Sequence, residues 1–277
     1  TLFRSKWSAT LPSPASRNIF FRNNDGEPKS FSWDNLGSTQ QAQLNKNISN
    51  IVDNLGSKRV DYLRGVKDPL EYSYGGPFRN RSGLLGDVVN SAVIYSGNTE
   101  NYGYGNATSA LSEKTSYAAS LVSKKSRAPL VFVGANDGML HAFKASDGSE
   151  QFAFIPSAIF PKLSALTSVD YSHQYYVDGS SVIGDAYING WKTILLGATG
   201  AGAAAEVVLT LIKTTPSLTL SPCLTSMLSI VPDTVLGTST EALSDSSKTR
   251  LSFSAMLSPT FTKISATRAF STPMSGT

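Results

Sequence analysis

The sequence predicts a mainly all-β chain: an incomplete β-propeller with helical insertions and an irregular C-terminal tail. Three observations carry this. First, between Val131 and Pro156 the short alternating runs Val131–Gly134, Met139–Ala145 and Ser149–Ile155 are joined by Asp137-Gly138 and Asp147-Gly148. Asp-Gly suits tight hairpins because both residues tolerate positive φ. Second, such a hairpin unit cannot bury both faces alone, and strand text recurs at Tyr175–Gly197, with Asn189-Gly190 ahead of Trp191–Leu196. Radial stacking of blades answers that need, although the recurrence by itself also leaves a β-sandwich open. Third, the composition changes after about Ala203.

The elements follow in order. Residues 1–31 are polar, with an edge strand expected at Asn18–Phe21 and a turn at Asn24-Asp25-Gly26. From Ser32 the text becomes helical. Ser32 or Asp34 can cap, and Leu44, Ile48, Ile51, Val52 and Leu55 fit one face of a helix within Gln40–Val60. A second short helix is expected over Val60–Arg64, giving a helical insert of about 32–65. Asp87–Tyr95 is β-branched and predicts a strand. Asn98–Ala107, rich in Gly, Asn and Tyr, predicts a long surface loop. Thr115–Lys125 predicts a short helix and Leu163–Leu166 a helical turn. Gly197–Gly202 lacks the Gly-Lys-Ser/Thr ending of a phosphate loop and reads as a glycine-rich turn between strands.

Phe132-Val-Gly-Ala-Asn-Asp-Gly-Met-Leu-His-Ala-Phe143 resembles the signature of the PilC/PilY family, surface-exposed assembly and adhesion factors of type IV pili. Tyr62–Gly65, Phe78–Arg81, Leu85–Ser91, Tyr175–Gly179 and Gly190–Gly197 match the same family in the expected order. The resemblance spans about residues 15–202, and the family usually carries His where Asn90 stands. It implies a quinoprotein-like propeller over residues 1–202. It also implies a non-enzymatic role in pilus biogenesis and adhesion through propeller loops, with pilin subunits, pilus machinery or a host-surface ligand as partners. It implies an exported protein at the outer membrane, cell surface or pilus, and places any calcium in a part of the propeller beyond this segment. The alternatives are a quinoprotein-type dehydrogenase and an outer-membrane assembly scaffold. The repeated Trp docking positions and vicinal Cys pair of the dehydrogenases are absent from the sequence.

Composition narrows the classes further. With 40% hydrophobic residues among 277, most of the chain can bury a core, and no apolar run is long enough for a transmembrane helix. Thr1–Trp7 shows no signal peptide and no initiating Met, so the chain reads as an internal fragment of a longer product. The net charge of +4 is small and dispersed. Lys124, Lys125 and Arg127 form the nearest basic cluster and read as a solvated loop, which argues against nucleic acid as a partner. The single Cys223 makes no intramolecular disulfide.

The tail, 203–277, departs from the rest. Residues 206–277 hold 28 Ser or Thr, two Gly and no Tyr or Trp, whereas residues 1–205 hold 20 Gly, 11 Tyr and all three Trp. A Ser/Thr-rich stalk is one reading. The preferred one is translation out of frame: re-pairing the codons of Phe253–Ile264 permits text resembling a later Phe-Gly-Asn strand of the family. On that reading the tail builds no coherent sheet, and Cys223 has no evolved role.

No catalytic, cofactor-binding or metal-ligating residue is expected. His141 reads as a packed or hydrogen-bonded strand residue and His173 as a scaffold hydrogen bond. No Asp-x-Asp-x-Asp run supplies calcium ligands. Asn136 and Asp137, like Asp178-Gly179 and Asp185, read first as turn formers. As partner-facing positions we expect Asn98, Tyr102 and Tyr104 of the long loop, and the hairpin tip Asn136, Asp137 and Gly138.

Overall fold

A computed structural model describes residues 6–24, 26, 28–106, 111–187 and 190–203, together with strands at 207–212, 224–230, 253–254 and 265–266. For 111–113 and everything beyond 203 the description covers the backbone alone. The chain divides into Thr1–Asp233 and Thr234–Thr277.

In the first unit the strands β1 (Ile19–Arg22) and β2 (Pro28–Ser30) precede the helices α1 (Ser38–Leu44) and α2 (Gly56–Arg64). Then come β3 (Ile94–Ser96), α3 (Leu111–Lys124), β4 (Leu130–Ala135), β5 (Met139–Lys144) and β6 (Glu150–Ile155). A 3-10 segment, Ser157–Thr167, leads to β7 (Val182–Tyr187), β8 (Trp191–Ala198), β9 (Val207–Ile212) and β10 (Leu224–Ile230). One sheet runs β2-β1-β6-β5-β4-β3 and a second β10-β9-β8-β7. Neither closes on itself, as expected of part of a propeller. In the second unit the described residues form the two-residue pair β11 (Phe253–Ser254) and β12 (Ser265–Ala266).

The predicted blade unit forms with bounds close to those expected. β4 and β5 pair in continuous antiparallel register from Leu130↔Lys144 to Ala135↔Met139. Gly138 closes their turn at φ +92°, where a side chain would be strained. β5 then pairs with β6. β1 is not the expected edge strand. It lies between β2 and β6, parallel to β6 through Ile19↔Ala153 and Phe21↔Ile155. Both of its faces are covered: Ile19 and Phe21 enter the main core on one side, and Phe20 packs with Phe154 on the other.

The helical insert is shorter than its periodicity implies. α1 ends at Leu44 because Asn47 Oδ1 accepts from Ser49 N (2.9 Å) and Ile51 N (3.0 Å), an alternative to helical bonding. Asn50 and Asn54 take positive φ, 62° and 57°. Ile48, Ile51 and Val52 are consequently exposed rather than on a buried face. α1 and α2 pack on the 3-10 segment. Phe21, Phe31 and Phe160 meet there with ring centroids 5.4–6.2 Å apart. Each fully buried aromatic of this kind contributes about 1.5–3 kcal/mol.

The strand expected over Asp87–Tyr95 shrinks to Ile94–Ser96, because its first half is engaged with the hairpin tip. Within the expected tail, β9 pairs with β8 from Thr193↔Ile212 to Ala198↔Val207, and β10 pairs with β9. These strands extend the second sheet past the boundary expected at residue 202. Cys223 and Asn189 lie outside the described residues.

Candidate functional site

At the expected partner-facing tip Asn136-Asp137-Gly138, Asn136 and Gly138 are buried and Asp137 is partly exposed, lining the cleft described below. Asn136 is 2% exposed. Its Nδ2 donates to Asp87 Oδ2 (3.1 Å) and its Oδ1 accepts from Tyr176 N (2.9 Å). Its backbone N donates to Asp87 O (3.0 Å). Gly86 N donates to Asp137 Oδ2 (3.1 Å). A Cβ on Gly86 would stand 2.3 Å from Asp137 N, so only glycine lets the 83–87 segment cross the tip. Turn formation, the first reading of these residues, is what the geometry shows: Asp137 Oδ1 accepts from Met139 N at 3.2 Å.

Beneath the tip runs a column of charge. Arg17 makes a two-pronged contact to Glu150, Nε to Oε2 at 2.7 Å and Nη2 to Oε1 at 2.8 Å. Glu150 Oε1 also lies 2.8 Å from His141 Nδ1, and His141 Nε2 lies 3.1 Å from both oxygens of Asp137. His141 is fully buried. Burial alone would lower its pKa, but the charges of Asp137 and Glu150 and their hydrogen bonds outweigh this and raise it to about 9. Burial raises that of Glu150, and the bonds from Arg17 and His141 override it, bringing it down to about 2. Two cations therefore alternate with two carboxylates, and the column is electrically balanced. His141 is the hydrogen-bonded strand residue that was expected.

Above the column lies a polar cleft of about 380 Å3, bounded by Tyr62, residues 79–87, the tip, Leu166, Tyr171 and His173. His173 Nε2 lies 2.8 Å from Asp87 Oδ2, the scaffold bond expected for it. The Asp87 pKa is lowered: burial opposes this, while the bonds from His173 and Asn136 outweigh it. Each guanidinium nitrogen of Arg81 holds a partner: Nε donates to Glu71 Oε1 (2.8 Å), Nη1 to Tyr62 O (2.6 Å) and Nη2 to Val66 O (2.8 Å). Arg79 lies 4.2 Å over the Tyr171 ring, and its Nε donates to Leu166 O at 2.7 Å.

The 98–106 loop sits elsewhere, on α3 and β8. Asn98 Nδ2 donates to Lys125 O (2.8 Å) and Tyr102 N to Tyr117 Oη (3.0 Å). Tyr104 is 40% exposed, its ring 4.9 Å from that of Trp191. Tyr102 is half-buried under Lys124, whose Nζ is 4.8 Å from its ring. Beneath the loop, Lys124 Nζ donates to Asp185 Oδ2 (2.9 Å). Tyr117 Oη (2.8 Å) and Thr193 Oγ1 (2.7 Å) donate to the same carboxylate.

That ion pair corrects two expectations. Lys124 and Arg127 are buried, not parts of a solvated loop, and Asp185 is a buried strand residue, not a turn former. The alternation of β7 sends Asp185 inward onto the helix end. Asp178 likewise is buried, accepting from Asn90 N (2.9 Å) and Asn90 Nδ2 (2.5 Å). Asn90 thus holds this aspartate through both its backbone and its side chain. Sequence reasoning missed the roles of Arg17, Glu150 and Arg79, and took Lys124 for a solvated residue. For Arg79 the available signal was the Phe78–Arg81 block. Among the described residues no cluster of three His, Cys, Asp or Glu could hold a metal ion. No helix among them is long and apolar enough to cross a membrane.

The family model described as the PilY1 beta-propeller domain matches residues 85–226, just over half of the chain and past the boundary expected at 202. This chain belongs to that family. Across 221 residues it is 38% identical to "Type IV pilus biogenesis factor PilY1" of Pseudomonas aeruginosa strain UCBPP-PA14, covering 75% of this chain and 18% of that protein. Against the namesake from strain PAK it is 42% identical over 63% of this chain and 15% of the relative. A PilY1 homolog of Xylella fastidiosa is 40% identical over 71% of this chain and 15% of its own length. The chain thus spans less than a fifth of these relatives. The crystal structure of the P. aeruginosa PilY1 C-terminal domain aligns at 48% identity with a TM-score of 0.28, covering 36% of this chain and 18% of that one. The relatives are named as biogenesis factors, not as enzymes.

Proposed function

We propose that this chain acts in type IV pilus biogenesis and surface adhesion, non-enzymatically, by binding protein through loops held on a propeller scaffold. Membership of the PilY1 propeller family carries this reading. The 98–106 loop supplies a surface for it: Asn98 and Tyr102 are tethered to α3, while Tyr104 reaches solvent. A loop fixed in this way loses little entropy on binding. The partners are pilin subunits or pilus machinery, at the outer membrane, the cell surface or the pilus itself.

The test is made in the bacterium that carries the gene. Tyr104→Ser and Asn98→Ala are introduced into the complete gene, and surface pili and attached cells are counted. Both counts should fall at unchanged protein level. Full piliation and attachment in both variants would remove this loop from the function. Full piliation and attachment after deletion of the gene would remove the function itself.

A further inference from the structure

The Phe78–Arg81 block places two arginines on one cleft, and they differ in what they have left to give. Arg81 uses its Nε, Nη1 and Nη2 on Glu71, Tyr62 O and Val66 O. Arg79 is held just as firmly. Its backbone N donates to Thr167 O (3.1 Å), its O accepts from Tyr62 Oη (3.1 Å), its Nε donates to Leu166 O, and its guanidinium rests on Tyr171. Yet Arg79 Nη1 and Nη2 have no partner among the described residues, and the side chain lines the cleft. We propose that this cleft is a binding site for a peptide carboxylate, taken two-pronged on Nη1 and Nη2 of Arg79.

A planar guanidinium fork matches a carboxylate, and an arginine already immobilised loses little freedom on engaging one. The acidic lining of the cleft narrows the class. Asp87 and Asp137 line the same cleft, and Asp137 already balances His141. A dianionic phosphate would meet two carboxylates; a single carboxylate meets less repulsion and leaves Asp87 Oδ1 to accept an amide N–H of the same peptide. A chain terminus and an Asp or Glu side chain both offer this chemistry. The site is separate from the 98–106 loop, and its test does not depend on the pilus reading.

The experiment uses the full chain, labelled with 15N, and follows the Arg79 guanidinium by NMR during titration. The probes are a blocked pentapeptide ending in a free carboxylate, its C-terminal amide twin, an amide-ended peptide with one internal Asp, and inorganic phosphate. At least one carboxylate peptide should shift the Arg79 signals, while the amide twin should not and phosphate should bind more weakly. Which of the two acidic peptides binds identifies the source of the carboxylate. Read on the backbone amide signals of residues 79–87, Arg79→Gln should weaken binding about tenfold or more, through loss of a charge-assisted pair. Asp87→Asn should strengthen phosphate binding, and this arm stands even if the Arg79 variant does not fold. Binding of neither acidic peptide, equal binding of acid and amide twin, or an Asp87→Asn chain no better for phosphate would each overturn the assignment.

Discussion

Glu150 and Asp185, two of the buried carboxylates, are satisfied in different ways. Glu150, under the blade hairpin, is held by two cations, Arg17 and His141, each of which also has another partner. Asp185, under α3, is held by one cation, Lys124, and two hydroxyls, Tyr117 and Thr193. Around Asp185 the polar packing is incomplete: Glu100 Oε2 and Arg127 Nε and Nη1 are buried with no hydrogen-bond partner among the described residues. A balanced column makes a rigid floor for the cleft. The looser cluster carries the loop that reaches solvent. The cost of removing a partner from a buried charge depends on what remains to compensate it.

The comparison breaks first at Glu150. Glu150→Ala leaves Arg17 and protonated His141 facing each other in the core, and should destabilise the chain by about 3–5 kcal/mol in urea unfolding. If the loss is below that of Lys124→Met, the ranking of the two clusters is reversed.

The pH dependence comes next. The folded-state pKa of His141, about 9, lies above its ordinary 6.5, so the native state holds this proton more tightly. Its contribution is complete below about pH 6.5 and is lost as pH rises through 9, with a limit of about 3 kcal/mol. Glu150 acts at the other end: its pKa of about 2 lies below the ordinary 4.5, so its contribution is present above 4.5 and lost as pH falls through 2. Urea midpoints between pH 6 and 10 should fall for the native chain and stay flatter for His141→Gln.

Lys124→Met should cost less than Glu150→Ala, about 2–3 kcal/mol, because Asp185 keeps its two hydroxyl donors. Tyr117→Phe should have the smallest effect on stability, about 1 kcal/mol. It should nevertheless speed hydrogen exchange at the Tyr102 amide, which loses its acceptor. Unchanged exchange there would mean that the Tyr117 hydroxyl does not hold the loop, leaving its aromatic contacts and the Asn98 bond to do so.

The blade was legible because its signals are local. Alternation and Asp-Gly turns placed β4, β5 and β6, and His141 read correctly as a bonded strand residue. The buried state of Asn136 was not legible, since Asn-Asp-Gly reads the same whether solvent or a crossing segment lies above it. Gly86, which admits that segment, lies 50 residues earlier in the chain. Lys124 and Arg127 looked solvated for the same reason: their partners come from distant strands and loops. The helix expected through Ile48–Val52 failed locally instead, where Asn side chains outbid the helical bonds. The out-of-frame reading of 203–277 remains a proposal. A one- or two-base slip that restores Gly- and Tyr-containing text across the codons for Leu195–Thr277 would support it; a clean frame would end it.

By itself the sequence determined the blade, its turns and the family, because periodicity, positive-φ glycines and ordered residue blocks act over a few residues. The tertiary structure alone decided which charges are buried and which arginine keeps Nη1 and Nη2 open among the described residues. Charge compensation is a property of neighbours in space: Arg17 reaches Glu150 across 133 residues, and Lys124 reaches Asp185 across 61. In the same way, only packing separates Arg81, whose three guanidinium nitrogens each hold a partner, from Arg79, two residues away on the same cleft, whose Nη1 and Nη2 have none among the described residues.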